Sequence, residues 1–241
     1  MSKGYEKNVY LAMLAEQCSR FEEMIEFLEE MLKSRTEDLN SDERNLLSIA
    51  YKNAVSTRRS ALRTVMAYEM KEKKKESSAF LPYIQEYRKR IEDELTRMCE
   101  NVIAVIDLHL LQRAADAEAK VFYLKMKGDY NRYVAEYAQG ELKQKVADNS
   151  LKAYQEASDC SKSLSAVHPI VLGLLLNFSV FHYEVMGDHE KACQIAKETL
   201  DRAEKELPAD DEDEAFRDAI SIVNLLRENL EMWRNEAEEN N

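Results

Sequence analysis

The sequence predicts an all-α protein, and three observations lead to that prediction. The 241 residues include only five Gly and three Pro, so residues that break helices are rare. Apolar residues recur at spacings of three and four along nearly every segment, which is the period of an amphipathic helix. The few helix breakers lie between those segments, where helices are expected to end. We therefore predict about nine helices joined by short connections, so that successive helices pack antiparallel as stacked hairpins around a concave groove.

The first three helices have recognisable boundary signals. Ser19 precedes the second apolar segment and is interpreted as the start signal of that helix. Asn40 is followed three residues later by Glu43, which is the spacing of a capping box and predicts the start of a long third helix. The predicted ranges are 5–18, 21–33 and 41–70.

A charged segment, KEKKKESS at 71–78, follows the third helix. We interpret it as a connector rather than a functional patch, because such charge runs are usually solvated. The fourth helix is predicted to run from near Ser78 to near Leu111, with Pro82 in its first turn, where a proline is tolerated.

Helix breakers also delimit the five remaining helices. The breaks carry Gly140, His168-Pro169, Gly187-Asp188 and Pro208-Ala209. The predicted helices between them are 115–138, 142–163, 170–186, 190–206 and 213–235. Residues 1–235 are predicted to form one helical domain, and 236–241, EAEENN, a short polar flexible tail.

The charge balance and the apolar pattern limit the possible partners. With 46 acidic and 34 basic residues, the net charge is −12, which disfavours nucleic acid and anionic membrane surfaces. No apolar run approaches the length needed to cross a bilayer, and the N-terminus is charged where a signal peptide needs an apolar block. The four cysteines form no CxxC pair, so we expect reduced thiols. We expect no nucleic-acid partner, no membrane insertion and a cytoplasmic location.

The sequence contains no recognisable catalytic motif. GxSxG, GxGxxG and a Walker loop do not occur, and the histidines form neither HExxH nor the ExxH pairs of di-iron bundles. Each histidine is interpreted as a surface or capping group; the four are His109, His168, His182 and His189. We therefore expect a protein that is not an enzyme and that needs no metal and no cofactor.

Basic side chains share one face of the predicted third helix. At ~100° per residue, Lys52, Arg59 and Arg63 lie within roughly 40° of one another, whereas Arg58 points elsewhere. In an acidic chain, a local positive stripe indicates either a bound anion or neighbouring carboxylates that neutralise it. The alternative interpretation is a solvated face of salt bridges.

A second basic cluster lies in the predicted fifth helix. Arg132 adjoins Tyr133, and Glu136 lies four residues later, where its carboxylate can brace the guanidinium. Lys125 and Asp129 belong to the same cluster. Arginine and tyrosine donors of this kind would offer a phosphate dianion charge-assisted hydrogen bonds worth about 1.5 to 3 kcal/mol each when shielded.

Two asparagines interrupt the apolar stripes of later helices. Asn177 lies in the predicted seventh helix and Asn229 in the ninth. An amide within an apolar face costs stability unless it is hydrogen-bonded, so each is either a satisfied structural group or a contact for a peptide backbone. Their occurrence together with the basic clusters favours the second interpretation.

Four stretches resemble the signature sequences of the 14-3-3 family, in order and at the family's spacing. They are RNLLSIAYKN, VFYLKMKGDYNRYVAEYA, HPIVLGLLLNFSVF and NLLRENLEMW. The similarity covers residues 3–235. It implies a nine-helix antiparallel protomer that pairs into a cup-shaped dimer. It also implies an amphipathic groove in each protomer that binds phosphoserine or phosphothreonine segments of client proteins.

The resemblance also implies roles for individual residues. The implied phosphate ligands are Lys52, Arg59, Arg132 and Tyr133. Asn177 and Asn229 would hold the peptide main chain. The other implied groove residues are Asn45, Ser48, Lys125, Gly173, Leu176, Val180, Glu184, Ile222, Leu225 and Trp233.

A dimer interface is implied in the same way. It would pair Arg20 with Glu94, and Glu23 with Arg90, across the two-fold axis. The implied apolar neighbours are Leu14, Ala15 and Tyr87. Exposed ion pairs add little affinity, so the apolar residues should supply most of it and the charges the register. The partner would be a second copy or a paralogue.

Three positions depart from the family pattern. Ala61 lacks a hydroxyl that could be phosphorylated to loosen the dimer. Ser221 replaces an aliphatic residue of the groove wall, which predicts a weaker apolar contact or a more polar peptide. Asn131 replaces a tyrosine beside the pocket.

Two other functions remain open from the sequence. The segment GDHEKACQIAKETLDRAEKEL resembles one helix of a tetratricopeptide unit, which suggests an adaptor for unmodified acidic peptides, although no 34-residue recurrence is present. A helical enzyme acting on phosphorylated metabolites would need a general base, for which only Asp129 and Glu136 are candidates.

Overall fold

The structure is a computed structural model that describes residues 3–75, 77–207 and 214–239. Over these ranges it contains nine α-helices and no β-strand, which confirms the predicted all-α class. The chain divides into two compact units, Met1–Ala114 and Ala115–Asn241, here called the N-terminal and C-terminal units. The prediction of a single domain over residues 1–235 stays a prediction.

In its described residues, the N-terminal unit contains four α-helices, the last of which continues as a short π-helical segment, Ile106–Leu110. The bounds are α1 Lys3–Gln17, α2 Phe21–Lys33, α3 Ser41–Lys73 and α4 Leu81–Val105. The core of this unit includes Leu28 of α2, Leu47 of α3 and Leu95 of α4, which are completely buried. Burial of such side chains supplies most of the stabilisation of a helical unit of this size.

In its described residues, the C-terminal unit contains five α-helices, and a π-helical segment, His182–Met186, continues the third of them. The bounds are α5 Ala117–Ala135, α6 Gly140–Ser161, α7 Pro169–Phe181, α8 His189–Glu206 and α9 Glu214–Glu239. Helices α5 and α6 pack along each other. A core cluster that includes Leu172, Leu200 and Leu226 joins α7, α8 and α9.

The predicted role of Ser19 is wrong. Ser19 adopts a left-handed conformation with φ of +55°, and the residue that caps α2 is Arg20. The N–H groups of Ser19 and Arg20 donate to the carbonyl oxygens of Glu16 and Ala15 at 2.9 Å, so Ser19 terminates α1 rather than starting α2. This hydrogen-bond pair is a Schellman arrangement, in which glycine usually occupies the left-handed position that Ser19 has in this chain.

Other boundaries differ from the prediction by a few residues. Helix α3 extends into the charged connector as far as Lys73, and α4 begins at Leu81, so Pro82 lies in its first turn as predicted. Helix α9 extends to Glu239, through most of the segment predicted to be a flexible tail. The predicted break at Pro208-Ala209 and the predicted start of the last helix at residue 213 lie outside the described residues.

The expectation that no apolar run is long enough for a bilayer is wrong by length and composition. Among the described residues, Pro169–Met186 is one helical stretch that is long and apolar enough to span a membrane. About 39% of this stretch is buried, including Val171, Leu174 and Phe181. A core helix of a globular unit satisfies the same length and hydropathy criteria.

The histidines are placed only partly as expected. His168 caps α7, since its Nδ1 accepts a hydrogen bond from the Ile170 N–H at 3.2 Å. His182 is instead buried against the Phe178 ring, and its Nδ1 has no hydrogen-bond partner among the described residues. Burial lowers the pKa of His182, which favours the neutral imidazole.

Candidate functional site

In the N-terminal unit, the capping box at the start of α3 is present as predicted. Asn40 accepts a hydrogen bond from the Glu43 N–H, and the Glu43 carboxylate accepts one from the Asn40 N–H, each at 2.9 Å. These bonds satisfy two of the N–H groups that a helix start leaves without helical partners. Helix α3 then continues without interruption through Lys52, Arg59 and Arg63, so the three positions share one helix face.

The basic side chains of α3 fall into two groups, those on the shared face and one that contacts α2. Lys52 and Arg63 are exposed, and Arg59 is half-buried. Arg58 forms an ion pair with Glu22 of α2 and donates a hydrogen bond to the Ala54 carbonyl oxygen at 3.3 Å. The prediction that Arg58 points away from the basic stripe is confirmed.

In the C-terminal unit, Arg132 lies near the end of α5 with only 6% of its surface exposed. Its Nη1 is 3.5 Å from the Glu136 carboxylate, which confirms the predicted brace, and 3.9 Å from that of Glu184. Its guanidinium carbon lies 4.8 Å from the centre of the Tyr133 ring, a cation–π distance. Arg132 is therefore a buried cation held by several neighbours rather than a mobile surface arginine.

The centre of this arrangement is Asp129, one turn before Arg132. The Asp129 carboxylate accepts hydrogen bonds from Lys125 at 2.8 Å, from the Tyr154 hydroxyl at 2.6 Å and from the Asn177 amide at 2.8 Å. Because these partners come from α5, α6 and α7, one buried carboxylate connects three helices. Its close contacts make Asp129 a structural anion and give no support to its role as a general base.

The charges of this network stabilise one another. Burial alone would raise the pKa of Asp129, but the nearby Lys125 and Arg132 hold it below its usual range. Burial likewise opposes the charge of Arg132, while Tyr154 and Asp129 raise the pKa of the guanidinium. Burial, followed by the negative charge of Asp129, raises the pKa of Tyr154, so its hydroxyl keeps its proton. Asp129 and Arg132 are thus both charged at neutral pH.

The sequence reasoning missed the part played by Tyr154. Tyr154 lies 22 residues after Arg132, on α6, and nothing in its sequence context distinguishes it from other helical tyrosines. The sequence places Asp129 in the basic cluster, but its partners Tyr154 and Asn177 are separated from it by 25 and 48 residues. Long-range contacts of this kind have no periodic signal in a single sequence.

The predicted groove residues of α7 and α9 present a half-buried surface. Gly173, Leu176, Asn177 and Val180 of α7 are half-buried, as are Ile222 and Asn229 of α9. A side-chain carbon added to Gly173 would lie 3.6 Å from Cε of Lys125, so the lysine stem passes directly over this glycine. The surface therefore combines small, amide and apolar groups beside the Asp129 network.

Trp233 differs from its neighbours on α9, because it is 4% exposed and belongs to the core cluster. Its ring stacks on Tyr183 with the ring centres 4.7 Å apart. Leu225 of α9 is 48% exposed. Leu225 thus lies on the accessible side of α9, and Trp233 supports this surface from the core.

A family model described as 14-3-3 protein matches residues 11–234 of this chain. The chain belongs to the 14-3-3 family. It is 46% identical over 230 residues to the 14-3-3-like protein A of Hordeum vulgare, covering 95% of this chain and 87% of that protein. It is 47% identical over 234 residues to the checkpoint signal transducer rad24 of Schizosaccharomyces pombe, covering 97% of this chain and 86% of that protein.

Membership of the 14-3-3 family supports the predicted role as a phosphopeptide-binding adaptor and does not favour the tetratricopeptide-like alternative. A third relative, the 14-3-3-like protein GF14 nu of Arabidopsis thaliana, is 45% identical over 238 residues, covering 98% of this chain and 89% of that protein. The match extends over nearly the whole of each chain, so the resemblance inferred from the four signature stretches is confirmed.

The apolar residues implied for the 14-3-3 dimer interface lie in the N-terminal unit. Leu14 of α1 and Tyr87 of α4 are 48% and 55% exposed, although both are large apolar side chains. Ala15 is 5% exposed and contributes to the interior of this unit instead.

The charged residues implied for the interface form pairs within the protomer. Arg20 donates from Nε to the Glu23 carboxylate at 2.7 Å, and Arg90 donates from Nε to Glu94 at 3.2 Å. An interface that pairs Arg20 with Glu94 and Glu23 with Arg90 would therefore exchange these contacts for equivalent ones between chains. Such an exchange would change the free energy of association little, because the pairs are exposed. Its main effect would be on how the two chains are aligned.

Proposed function

We propose that this protein is a dimeric adaptor that binds phosphoserine and phosphothreonine segments of client proteins. The phosphate ligands of the proposal are Lys52, Arg59, Arg132 and Tyr133. The observation that supports it best is the buried guanidinium of Arg132, which donates a hydrogen bond to Tyr154 at 3.2 Å and lies 3.8 Å from Asp129 before any ligand binds. A pre-ordered arginine loses little side-chain entropy when it binds an anion.

The charges around Arg132 on α5 do not suffice to bind a phosphate dianion without the cations of α3. Around Arg132, the cations Arg132 and Lys125 face the carboxylates of Asp129, Glu136 and Glu184. This neighbourhood is not positive on its own, and a phosphate dianion would be poorly stabilised there. Lys52 and Arg59 of α3 would supply the missing positive charge.

The remaining groove residues fit the recognition of an extended peptide. Asn177 and Asn229 would bond the peptide main chain, and Leu176, Val180 and Leu225 would contact its apolar side chains. Ser221 is a polar substitution in this wall, but its hydroxyl donates to the Arg217 carbonyl oxygen at 2.9 Å within α9. The hydroxyl is thus satisfied locally, so the substitution reduces apolar contact without adding an unsatisfied donor.

We also propose that the protein acts as a homodimer, or as a heterodimer with a paralogue, in the cytoplasm. Two grooves in one assembly would bind a doubly phosphorylated client with an increased effective concentration. The action proposed is binding and masking of the phosphorylated segment, without turnover. Release of inorganic phosphate from a bound phosphopeptide would contradict this part of the proposal.

The proposal is tested by titrating one peptide with and without its phosphate. Wild-type protein should bind the phosphorylated form at least about ten-fold more tightly, because each charge-assisted bond to the phosphate contributes about 1.5 to 3 kcal/mol. Lys52→Glu should abolish this preference, because it replaces a proposed phosphate ligand by a carboxylate. Lys52 is exposed, so the substitution should leave the fold intact. The matched control is Lys71→Glu, the same charge change at another exposed position of α3. Equal affinity of the wild-type protein for both peptides would contradict the proposal and favour the tetratricopeptide-like alternative.

A further inference from the structure

Tyr154 of α6 is completely buried, and a buried tyrosine hydroxyl usually finds a hydrogen-bond partner. Its ring stacks on Phe178 with the ring centres 5.4 Å apart, and it lies against the backbone of Gly128 in α5. A Cβ atom added to Gly128 would come within 2.6 Å of Cε1 of Tyr154. Only glycine at this position lets the ring approach α5 so closely, and the approach brings the hydroxyl to the Asp129 network.

The hydroxyl of Tyr154 makes two different hydrogen bonds. It donates to Oδ1 of Asp129 at 2.6 Å and accepts from the Nε–H of Arg132 at 3.2 Å. Arginine has donors only, so the direction of the second bond is unambiguous, and the hydroxyl proton is committed to the carboxylate. Tyr154 therefore separates the buried anion from the buried cation and is bonded to both.

The terminal nitrogens of Arg132 make only long contacts with carboxylates. Nη2 is 3.8 Å from Asp129, and Nη1 is 3.5 Å from Glu136 and 3.9 Å from Glu184. Good hydrogen bonds from a guanidinium to a carboxylate are shorter, at about 2.7 to 2.9 Å. The shortest hydrogen bond of the guanidinium is thus the one from Nε to Tyr154, at 3.2 Å, and the two terminal groups retain donor capacity.

We propose that Tyr154 is a positioning residue for phosphate recognition: its hydroxyl orients Arg132 through Nε and keeps Asp129 from capturing the terminal nitrogens that bind the phosphate. This inference rests on the proposed function, because it concerns the same pocket. Without the hydroxyl, Asp129 would lose a proton donor and the direct Asp129–Arg132 pair would shorten. A phosphate would then have to compete with a carboxylate for the same N–H groups.

The test compares Tyr154→Phe with Tyr51→Phe. Tyr51 is equally buried, and its hydroxyl donates to the Glu29 carboxylate at 2.5 Å, so the control removes the same kind of hydrogen bond in the N-terminal unit. We expect Tyr154→Phe to bind a phosphoserine peptide about ten-fold more weakly, which corresponds to about 1.4 kcal/mol. Tyr51→Phe should bind like the wild type.

A second readout separates positioning from a general loss of stability. Phosphorus NMR of the bound peptide over a pH series reports the second pKa of the phosphate, which is about 6 when free. A correctly placed guanidinium should lower that pKa in the wild-type complex and in Tyr51→Phe. In Tyr154→Phe the pKa should move back towards the free value. An unchanged affinity together with an unchanged phosphorus titration in Tyr154→Phe would overturn the inference.

The failure of this inference can be distinguished from the failure of the proposed function. If the wild-type protein does not bind the phosphopeptide in preference to its unphosphorylated form, the proposed function fails; if it does and Tyr154→Phe matches it, only the positioning role fails. If Tyr154→Phe does not fold, proton–nitrogen NMR of the wild-type protein decides. The Nε–H signal of Arg132, assigned by its loss in Arg132→Lys, should exchange slowly with water and persist when the peptide binds. Rapid exchange of that proton would overturn the inference.

Discussion

The side-chain amide of Asn177 in α7 donates a hydrogen bond to Oδ1 of Asp129 in α5, at 2.8 Å. Since a carboxylate can only accept, the amide nitrogen faces Asp129 and the amide oxygen is directed elsewhere. Asn177 is therefore both a satisfied structural group and a source of one further acceptor. The two interpretations that the sequence left open for this asparagine are compatible, and the proposed contact with a peptide N–H would use the amide oxygen.

Asn177→Asp should destabilise the protein in a pH-dependent way. The substitution replaces the donor by a second carboxylate beside Asp129, and like charges at this distance raise the pKa of one of the pair in the folded state. The folded protein then binds a proton more tightly than the unfolded chain, so stability falls as pH rises. We expect a loss of about 1 to 3 kcal/mol near pH 7 that shrinks towards pH 5. Denaturant unfolding at both pH values measures it, and a pH-independent loss would contradict the Asn177–Asp129 contact.

Gly128→Ala should reduce both stability and phosphopeptide affinity. The added methyl group would lie 2.6 Å from the ring of Tyr154, which is buried and cannot swing away. Overpacking of this kind typically costs about 1 to 3 kcal/mol. Thermal unfolding and peptide titration measure the two effects. Gly173→Ala is the comparison, because its methyl group would make only an ordinary contact with Lys125 at 3.6 Å. A Gly128→Ala protein as stable as Gly173→Ala would show that α5 and α6 are not in this close contact.

Glu69 should give the acid side of the stability curve a measurable slope. Glu69 is 4% exposed, and hydrogen bonds from Lys73 and then Arg88 lower its pKa from 4.5 to about 2. A carboxylate with a lowered pKa contributes stability that is fully present above pH 4.5 and is lost as the pH falls towards 2. Glu69→Gln should therefore lose less stability than the wild type between pH 5 and pH 2. The control is Glu30→Gln at an exposed ion pair, which should follow the wild type. Parallel curves for all three proteins would contradict the prediction.

The proposed dimer contacts are tested by exchanging charges. Glu23→Arg and Arg90→Glu should each weaken the dimer, by several-fold at low salt, because exposed pairs contribute about 0.2 to 1 kcal/mol each and every dimer contains two copies. The double variant should recover the dimer affinity if Glu23 pairs with Arg90 of the second chain. If the pairs form only within one protomer, the double variant places like charges beside Arg20 and Glu94. The dimer affinity should then fall further than in either single variant. Sedimentation equilibrium distinguishes the two results.

The features predicted correctly from the sequence depend on local rules. The capping box of Asn40 and Glu43 and the separation of Arg58 from the basic stripe follow from spacing along one helix. The brace of Glu136 on Arg132 follows from the same periodicity. Helix class and most helix boundaries were predictable for this reason.

The features that were missed depend on backbone conformation or on long-range packing. Serine favours a helix start, which predicts that role for Ser19, yet in this chain it adopts the left-handed turn that ends α1. The burial of His182 and the bonds of Tyr154 to Asp129 and Arg132 depend on how α5, α6 and α7 pack. Packing partners are not encoded in the period of one segment, so the network around Asp129 could not be derived.

The most direct test of the proposed site is a double-mutant cycle between α3 and α5. The variants are Lys52→Met and Arg132→Lys, singly and together, and the measurement is calorimetric affinity for one peptide with and without its phosphate. If both side chains bind the same phosphate, their effects on the phosphorylated peptide should be non-additive by about 1 kcal/mol or more, and the unphosphorylated peptide should show no coupling. Losses that add to within about 0.5 kcal/mol for the phosphorylated peptide would contradict a shared phosphate site.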